Sequence, residues 1–187
     1  MSKIFVVSAP SGAGKTTIVR SVLKKIPEIV FSISATTRKK RNHETDGVDY
    51  FFLTEDEFKK KIEAGQFVEW EKFYDYYYGT LKSFIDDTIA EGKSVLLEVD
   101  VKGAMNIKKV YPQAVMIFIA PPGLEELKNR LIKRQTESDE DLQKRLERAE
   151  MEMDFKDKFD YVIVNDHLDT AKEKVFNILK SELTKEE

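Results

Sequence analysis

Residues 8–17, Ser-Ala-Pro-Ser-Gly-Ala-Gly-Lys-Thr-Thr, bring together the residue types that handle a polyphosphate: spaced glycines, a lysine and a hydroxyl directly after it. The pattern of glycine, four residues and Gly-Lys-Ser/Thr is met at Gly14-Lys15-Thr16, with Ala9 one methyl group away from the strict leading glycine. Successive backbone N–H groups around Gly12 to Thr16 can form an anion nest, reinforced by the N-terminus of a following helix. Lys15 would then lie across the β- and γ-phosphates of ATP, and the Thr16 hydroxyl would ligate Mg²⁺. This reading assigns ATP to Ala9, Pro10, Ser11, Gly12, Ala13, Gly14, Lys15, Thr16 and Thr17. A second acidic feature is the apolar run 95–99, which carries Glu98 near its end and is followed by Asp100. One of these acids could reach the metal through water, and the sequence leaves open which.

Six of the seven arginines fall in two groups, Arg38 with Arg41 and Arg130, Arg134, Arg145 with Arg148. A site built to neutralise phosphates requires such clustering, whereas an evenly solvated surface does not. Lys39 and Lys40 read as solvated.

These groups need a scaffold. A chain of 187 residues can bury one sizeable core and a small appended lobe. With 34 acidic and 31 basic residues, the net charge of −3 gives no overall attraction for nucleic acid or an anionic membrane. The absence of cysteine excludes disulfides, a thiol nucleophile and thiolate metal sites, and two histidines do not make a histidine-rich zinc centre. A strand-like run begins after three residues and no stretch approaches membrane-spanning length, so a cytoplasmic enzyme is expected.

Short β-branched runs at 4–7, 29–33, 94–99, 115–119 and 161–164 read as buried parallel strands. Helical segments lie between them, from Lys15 towards Pro27, over 84–90, ahead of Pro112, over 124–133 and over 170–183. Ser138 and Asp141 can cap another helix running to about Met153, after a polar stretch at 136–141. Strands alternating with helices imply a right-handed three-layer α/β/α core around a central parallel sheet. Residues 34–82 break this rhythm: Asp46-Gly47 marks a turn and 50–52 an aromatic strand. Thr54 with Glu57 forms a capping box opening a helix that Gly65 ends, and 67–73 and 76–78 read as two strands joined across Asp75. This is a small α+β lobe inserted into one domain whose core is 1–33 and 83–187, with a helical lid over 130–148.

The segments VSAPSGAGKTT, SISATTRKKR, GVDYFF, FVEW, YYYGT, LLEVDVKGA and VIVND, in this order from Val7 to Asp166, resemble the guanylate kinase family of P-loop NTPases. The resemblance covers nearly the whole chain, and 34–80 is its most specific part. It implies reversible Mg²⁺-dependent transfer from ATP to GMP, and to dGMP, with 34–82 as the GMP-binding lobe. It further implies that Ser34, Glu69 and Thr80 contact guanine, that Arg38, Arg41, Tyr50 and Tyr78 hold the acceptor phosphate, and that Asp100 lies beside the base and the metal region. Arg134 and Arg145 would reach the transferring phosphates from the lid, Asn165 would lie near the donor adenine, and the catalytic group would be Lys15, Arg38, Arg134 and Arg145. Arg148 is read as pairing with Glu152.

Chemistry agrees with these implications. Guanine presents N1–H and its 2-amino group, which one carboxylate such as Glu69 accepts together, while the Thr80 and Ser34 hydroxyls can donate to O6. Adenine has no donor at N1 and would leave that carboxylate unpaired. Two rivals are a P-loop kinase for another phosphorylated acceptor and a peptide-binding scaffold module that has lost catalysis. Glu69 and Thr80 argue against the first, Lys15, Thr16 and the arginines against the second. Ala9 replaces the leading glycine of the formal phosphate-loop pattern, an alanine found in some family members, and Gln135 stands where the family often has glycine; neither change removes a charge.

Overall fold

The computed structural model describes residues 2–73, 75–133 and 139–185. Its main sheet contains β1 (Ile4–Ser8), β2 (Ile29–Phe31), β7 (Ser94–Glu98), β8 (Val115–Ala120) and β9 (Tyr161–Val164). All pairings are parallel and the order is β2-β7-β1-β8-β9. Every residue of β1 and β8 is buried, as strands covered on both faces must be.

Alternate side chains serve two cores. Phe5 and Val7 face Ile18, Val19 and Val22 of α1 (Lys15–Leu23) and Ala171, Val175 and Leu179 of α7 (Leu168–Thr184). Ile4 and Val6 face Ile85 of α3 (Lys82–Ala90) and Ala104 and Ile107 of α4 (Val101–Val110). The result is the expected three-layer α/β/α arrangement, with β1 in the middle delivering its C-terminal end to the phosphate loop.

A second sheet is built from β3 (Ala35–Thr36), β4 (Phe51–Phe52), β5 (Phe67–Phe73) and β6 (Tyr76–Leu81), in the order β4-β3-β6-β5. Helix α2 (Glu55–Glu63) covers it through Phe58, whose ring stacks on Phe67 at 4.3 Å between centroids. The Thr54–Glu57 capping box opens α2 as its sequence indicates. A bulge between Phe67 and Glu69 shifts the register of β5 against β6. Val68 is thereby in the core with Ile85, and Glu69 stands opposite Thr80.

Two local expectations change. The strand expected over 29–33 ends at Phe31, although the Ser32 N–H still donates to the Leu96 carbonyl at 2.9 Å. The two-residue strand β3, absent from the sequence reading, follows in the other sheet. Helix α6 (Asp139–Met153) begins so that Asp141 falls at its third position, the place an acid takes in a capping box; Ser138 lies outside the described residues. Helix α5 (Leu124–Lys133) packs beside α6 through Leu127, Leu131 and Ala149.

Candidate active site

The phosphate loop leaves β1 at Ser8 and enters α1 at Lys15. Gly12 and Gly14 have φ of 90° and 95°, a region open to glycine and costly for other residues. Gly14 is also crowded: a Cβ there would lie 2.6 Å from Asn165 Nδ2. That amide donates to the Ala13 carbonyl at 2.7 Å, so the residue after β9 fixes the shape of the loop from outside it. The loop residues Ala9–Gly12 and Gly14–Thr17 line a cavity of about 400 Å³; Ala13 is buried beneath it.

Glu98, Asp100, Arg145, Arg148, Glu71 and Glu152 complete that cavity. The Lys15 ammonium donates to the Val99 carbonyl at 2.8 Å. Its burial lowers the Lys15 pKa, against the opposing fields of Glu98 and Asp100. The Thr16 hydroxyl donates to Glu98 Oε1, which places the loop hydroxyl and one acid of the β7 end in direct contact.

On the other side of Glu98 and Asp100 is a smaller cavity of about 210 Å³, lined by Ser34, Glu69, Tyr78 and Asp100 among others. Thr80, 2% exposed, donates its hydroxyl proton to Glu69 Oε1 at 2.6 Å. Thr80, expected to contact the acceptor base, aims Glu69 through this bond. Burial is the main reason that Glu69 is pushed up to about 7, with Asp100 and Glu71 adding to it and the Thr80 bond opposing it. Asp100 caps α4 by accepting the Gly103 N–H at 2.7 Å. A Cβ on Gly103 would meet Glu69 Oε2 at 3.1 Å and Asp100 Oδ1 at 3.2 Å, so the cap lets two carboxylates approach a bare backbone.

Ser34, Arg38, Arg41, Tyr50 and Tyr78 line a wider cleft of about 990 Å³ that reaches Thr16 and Glu98. Arg38 donates to both oxygens of Glu44, at 2.7 and 3.0 Å, and its guanidinium lies 5.4 Å from the Tyr50 ring centroid. Glu44 also accepts the Arg41 backbone N–H at 2.8 Å. These bonds hold the Glu44 carboxyl down at about 2. Glu44 went unnoticed in the sequence, although an acid three residues past Arg41 in a basic run is a usable signal. Burial pushes the Tyr50 phenol up, keeping its proton available to donate.

Asn165 and Arg130 line a fourth cavity of about 400 Å³ beside Gly12, Gly14 and Thr17. Arg130 donates to the Asn165 carbonyl at 3.0 Å and to Glu126 at 2.9 Å. Arg145 faces the phosphate-loop cavity, whereas Arg134 lies outside the described residues. Arg148 bonds Glu152 as expected, at 3.0 Å, and it reaches Asp100 as well, at 2.8 Å.

The guanylate kinase family model matches residues 1–182 of this chain. A guanylate kinase of Thermotoga maritima is 50% identical over 183 residues, which cover 98% of this chain and 88% of the relative. One from Chlorobium chlorochromatii is 53% identical over 170 residues, 90% of either chain. Among solved structures, guanylate kinase from Anaplasma phagocytophilum superposes with a TM-score of 0.77 at 31% identity, over 98% of this chain and 87% of that one.

Proposed function

This chain belongs to the guanylate kinase family, and we propose that the cavities around Glu98 and Asp100 are where it transfers the terminal phosphoryl group of ATP to GMP, giving ADP and GDP. The observation that carries the assignment of substrates to cavities is the shared wall. Glu98 and Asp100 border both the phosphate-loop cavity and the cavity holding Glu69, so a donor in one meets an acceptor in the other.

ATP would take the loop residues Ala9 to Thr17, with its adenine towards Asn165. GMP would place its N1–H and 2-amino edge on Glu69, with Ser34 and Asp100 at its rim and Thr80 acting through Glu69. Its phosphate would meet Arg38, Arg41, Tyr50 and Tyr78. These contacts engage the base and the phosphate, so dGMP is proposed as a second acceptor.

Thr16 and Glu98 fit Mg²⁺: they supply adjoining oxygen donors, and among the described residues no group of three or more acids or histidines forms an all-protein metal site. Such a sparse donor set suits an ion that keeps water and phosphate ligands. When bound, Mg²⁺ would neutralise charge on the β- and γ-phosphate oxygens. The chain's own part is alignment and charge. Lys15, Arg38, Arg145 and Arg134 would stabilise the negative charge that shifts during transfer. A phosphate monoester is already nucleophilic near neutral pH, so no general base is required. The proposed compartment is the cytoplasm, and no helix among the described residues is long and apolar enough to cross a membrane.

The test is ADP production with Mg·ATP and each of GMP, dGMP, AMP, CMP, UMP and dTMP, with K15A as control. Turnover confined to the guanine acceptors and lost in K15A is expected. Folded protein that binds ATP and turns over none of them would overturn the assignment.

A further inference from the structure

One guanidinium ties helix α6 to two elements outside it. Arg148 donates through Nε to Glu152 on its own helix at 3.0 Å, and through an amino group to Asp100 Oδ2 at 2.8 Å. The same group lies 3.5 Å from Glu71 Oε2 on β5. Its partners already have other duties. Asp100 spends its second oxygen on the Gly103 N–H that opens α4. Glu71 stands two residues after Glu69 on one strand, and so on the same face of it. Glu69, Glu71 and Asp100 all line the cavity of about 210 Å³ assigned above to the acceptor base.

Without a cation between them, Asp100 and Glu71 would repel each other inside that wall. Arg148 is half-buried, and its fork reaches Glu152 through Nε while one amino group serves Asp100 and Glu71, a spread that lysine cannot reproduce. Its donors are turned to these acids although its side chain also borders the phosphate-loop cavity.

We propose that Arg148 is a positioning residue for the acceptor base: by holding Asp100 to Glu71 it sets the carboxylate wall that guanine meets, and it makes the seating of α6 and recognition of the base one coupled event. This rests on the assignment of that cavity to the guanine of GMP. The role exceeds the helix-surface pairing with Glu152 that spacing alone indicates, and it needs no contact between Arg148 and either substrate.

The experiment compares wild type, R148M, R148K, E71Q and R148M/E71Q in steady-state assays varying GMP and Mg·ATP separately, alongside thermal unfolding. Loss of a charge-assisted bond predicts a GMP KM raised about ten-fold or more in R148M. The ATP KM should rise clearly less than the GMP KM, because the Lys15 ammonium and the backbone of the loop make no bond to Arg148. R148K should recover part of the loss, since an ammonium keeps a positive charge beside Asp100 and Glu71 but cannot also bond Glu152 as the guanidinium does. In the E71Q background the R148M effect on GMP KM should shrink, because the repulsion that Arg148 offsets has been removed. An R148M variant with unchanged GMP KM would overturn the proposal, as would equal rises in both KM values with a lowered unfolding temperature, or strict additivity with E71Q. Wild-type protein lacking guanine-dependent turnover would overturn the functional assignment and this role together, while a GMP-selective wild type with an indifferent R148M overturns the role alone.

Discussion

In the proposed acceptor site Glu69 would carry the specificity for guanine in its charge, and that charge is held against burial. Burial raises its pKa to about 7, well above the ordinary 4.5. Only the ionised carboxylate accepts both guanine donors, so GMP KM should rise as pH falls below about 7, approaching ten-fold per pH unit. A profile of GMP KM against pH that stays flat from 8 to 5.5 would refute this. The same shift affects stability with a definite sign. A carboxyl whose folded pKa is raised binds its proton more tightly when folded, so stability falls as pH rises from 4.5 through 7. E69Q removes that penalty, and its unfolding free energy should exceed that of wild type by roughly 2–3 kcal/mol at pH 8, with little gain near pH 4.5. Guanine-dependent turnover should collapse in the same variant. Glu44 presents the opposite case: its carboxyl, at about 2, is ionised throughout the working range, so Arg38 is held at every physiological pH. E44A should raise GMP KM by about ten-fold, the value of a charge-assisted bond, with ATP affinity unchanged by calorimetry.

At the level of elements, the loop between β1 and α1 depends on a residue 152 positions away, since the Asn165 amide meets Ala13 beneath the nest. Two costs therefore combine in G14A, a left-handed φ of 95° and a Cβ 2.6 Å from that amide. Left-handed backbone alone costs a non-glycine residue about 1–2 kcal/mol, so ATP affinity measured by titration calorimetry should fall by ten-fold or more. Adding N165A would relieve the clash but also remove the bond that shapes the loop, so G14A/N165A should still bind ATP more weakly than wild type. A G14A variant binding ATP like wild type would contradict both terms. The sequence discloses some elements and hides others for physical reasons. Thr54 with Glu57 marks the start of α2 because capping is local, written within four residues. Buried β1 and β8 are plain in their unbroken apolar runs at 4–7 and 115–120. β3 is two residues long, too short for any periodicity, and exists only because β4 and β6 flank it. Likewise, Lys15, Arg38 and Glu69 stand in recognisable local patterns, whereas the partnership of Arg148 with Asp100 spans 48 positions and leaves no trace in spacing. Asn165 shows the same limit: the family resemblance implies a place near the donor adenine, but its bond to Ala13 is visible only in three dimensions.

Considered as a whole, the molecule has two sheets facing across the Glu98–Asp100 junction, with room to spare between them. The cleft bearing Arg38 and Arg41 measures about 990 Å³, at the upper end of the range that encloses a small ligand. Transfer needs the reacting atoms about 3–3.5 Å apart, and the donor and acceptor anchors belong to different sheets. Two contacts seen here are ones that substrates would displace in the proposed site: Lys15 bonds the Val99 carbonyl and Thr16 bonds Glu98, in the positions where phosphate and metal would compete for them. Binding ATP alone exchanges these contacts within the main sheet and gives the acceptor sheet no reason to move. A ligand that occupies both cavities at once does, because its phosphates attract Lys15 from one side and Arg38 and Arg41 from the other. Drawing the sheets together also excludes water, which would limit wasteful hydrolysis of ATP. An adenosine–guanosine compound joined by five phosphates is therefore expected to shrink the particle. The radius of gyration for a compact chain of this length is about 16 Å, and a decrease of about 1 Å is within reach of small-angle scattering. ATP without acceptor should produce a smaller change, or none. If the linked compound binds tightly and the scattering curve is unchanged, then the anchors already stand at their reacting distance and the space between the sheets has another use.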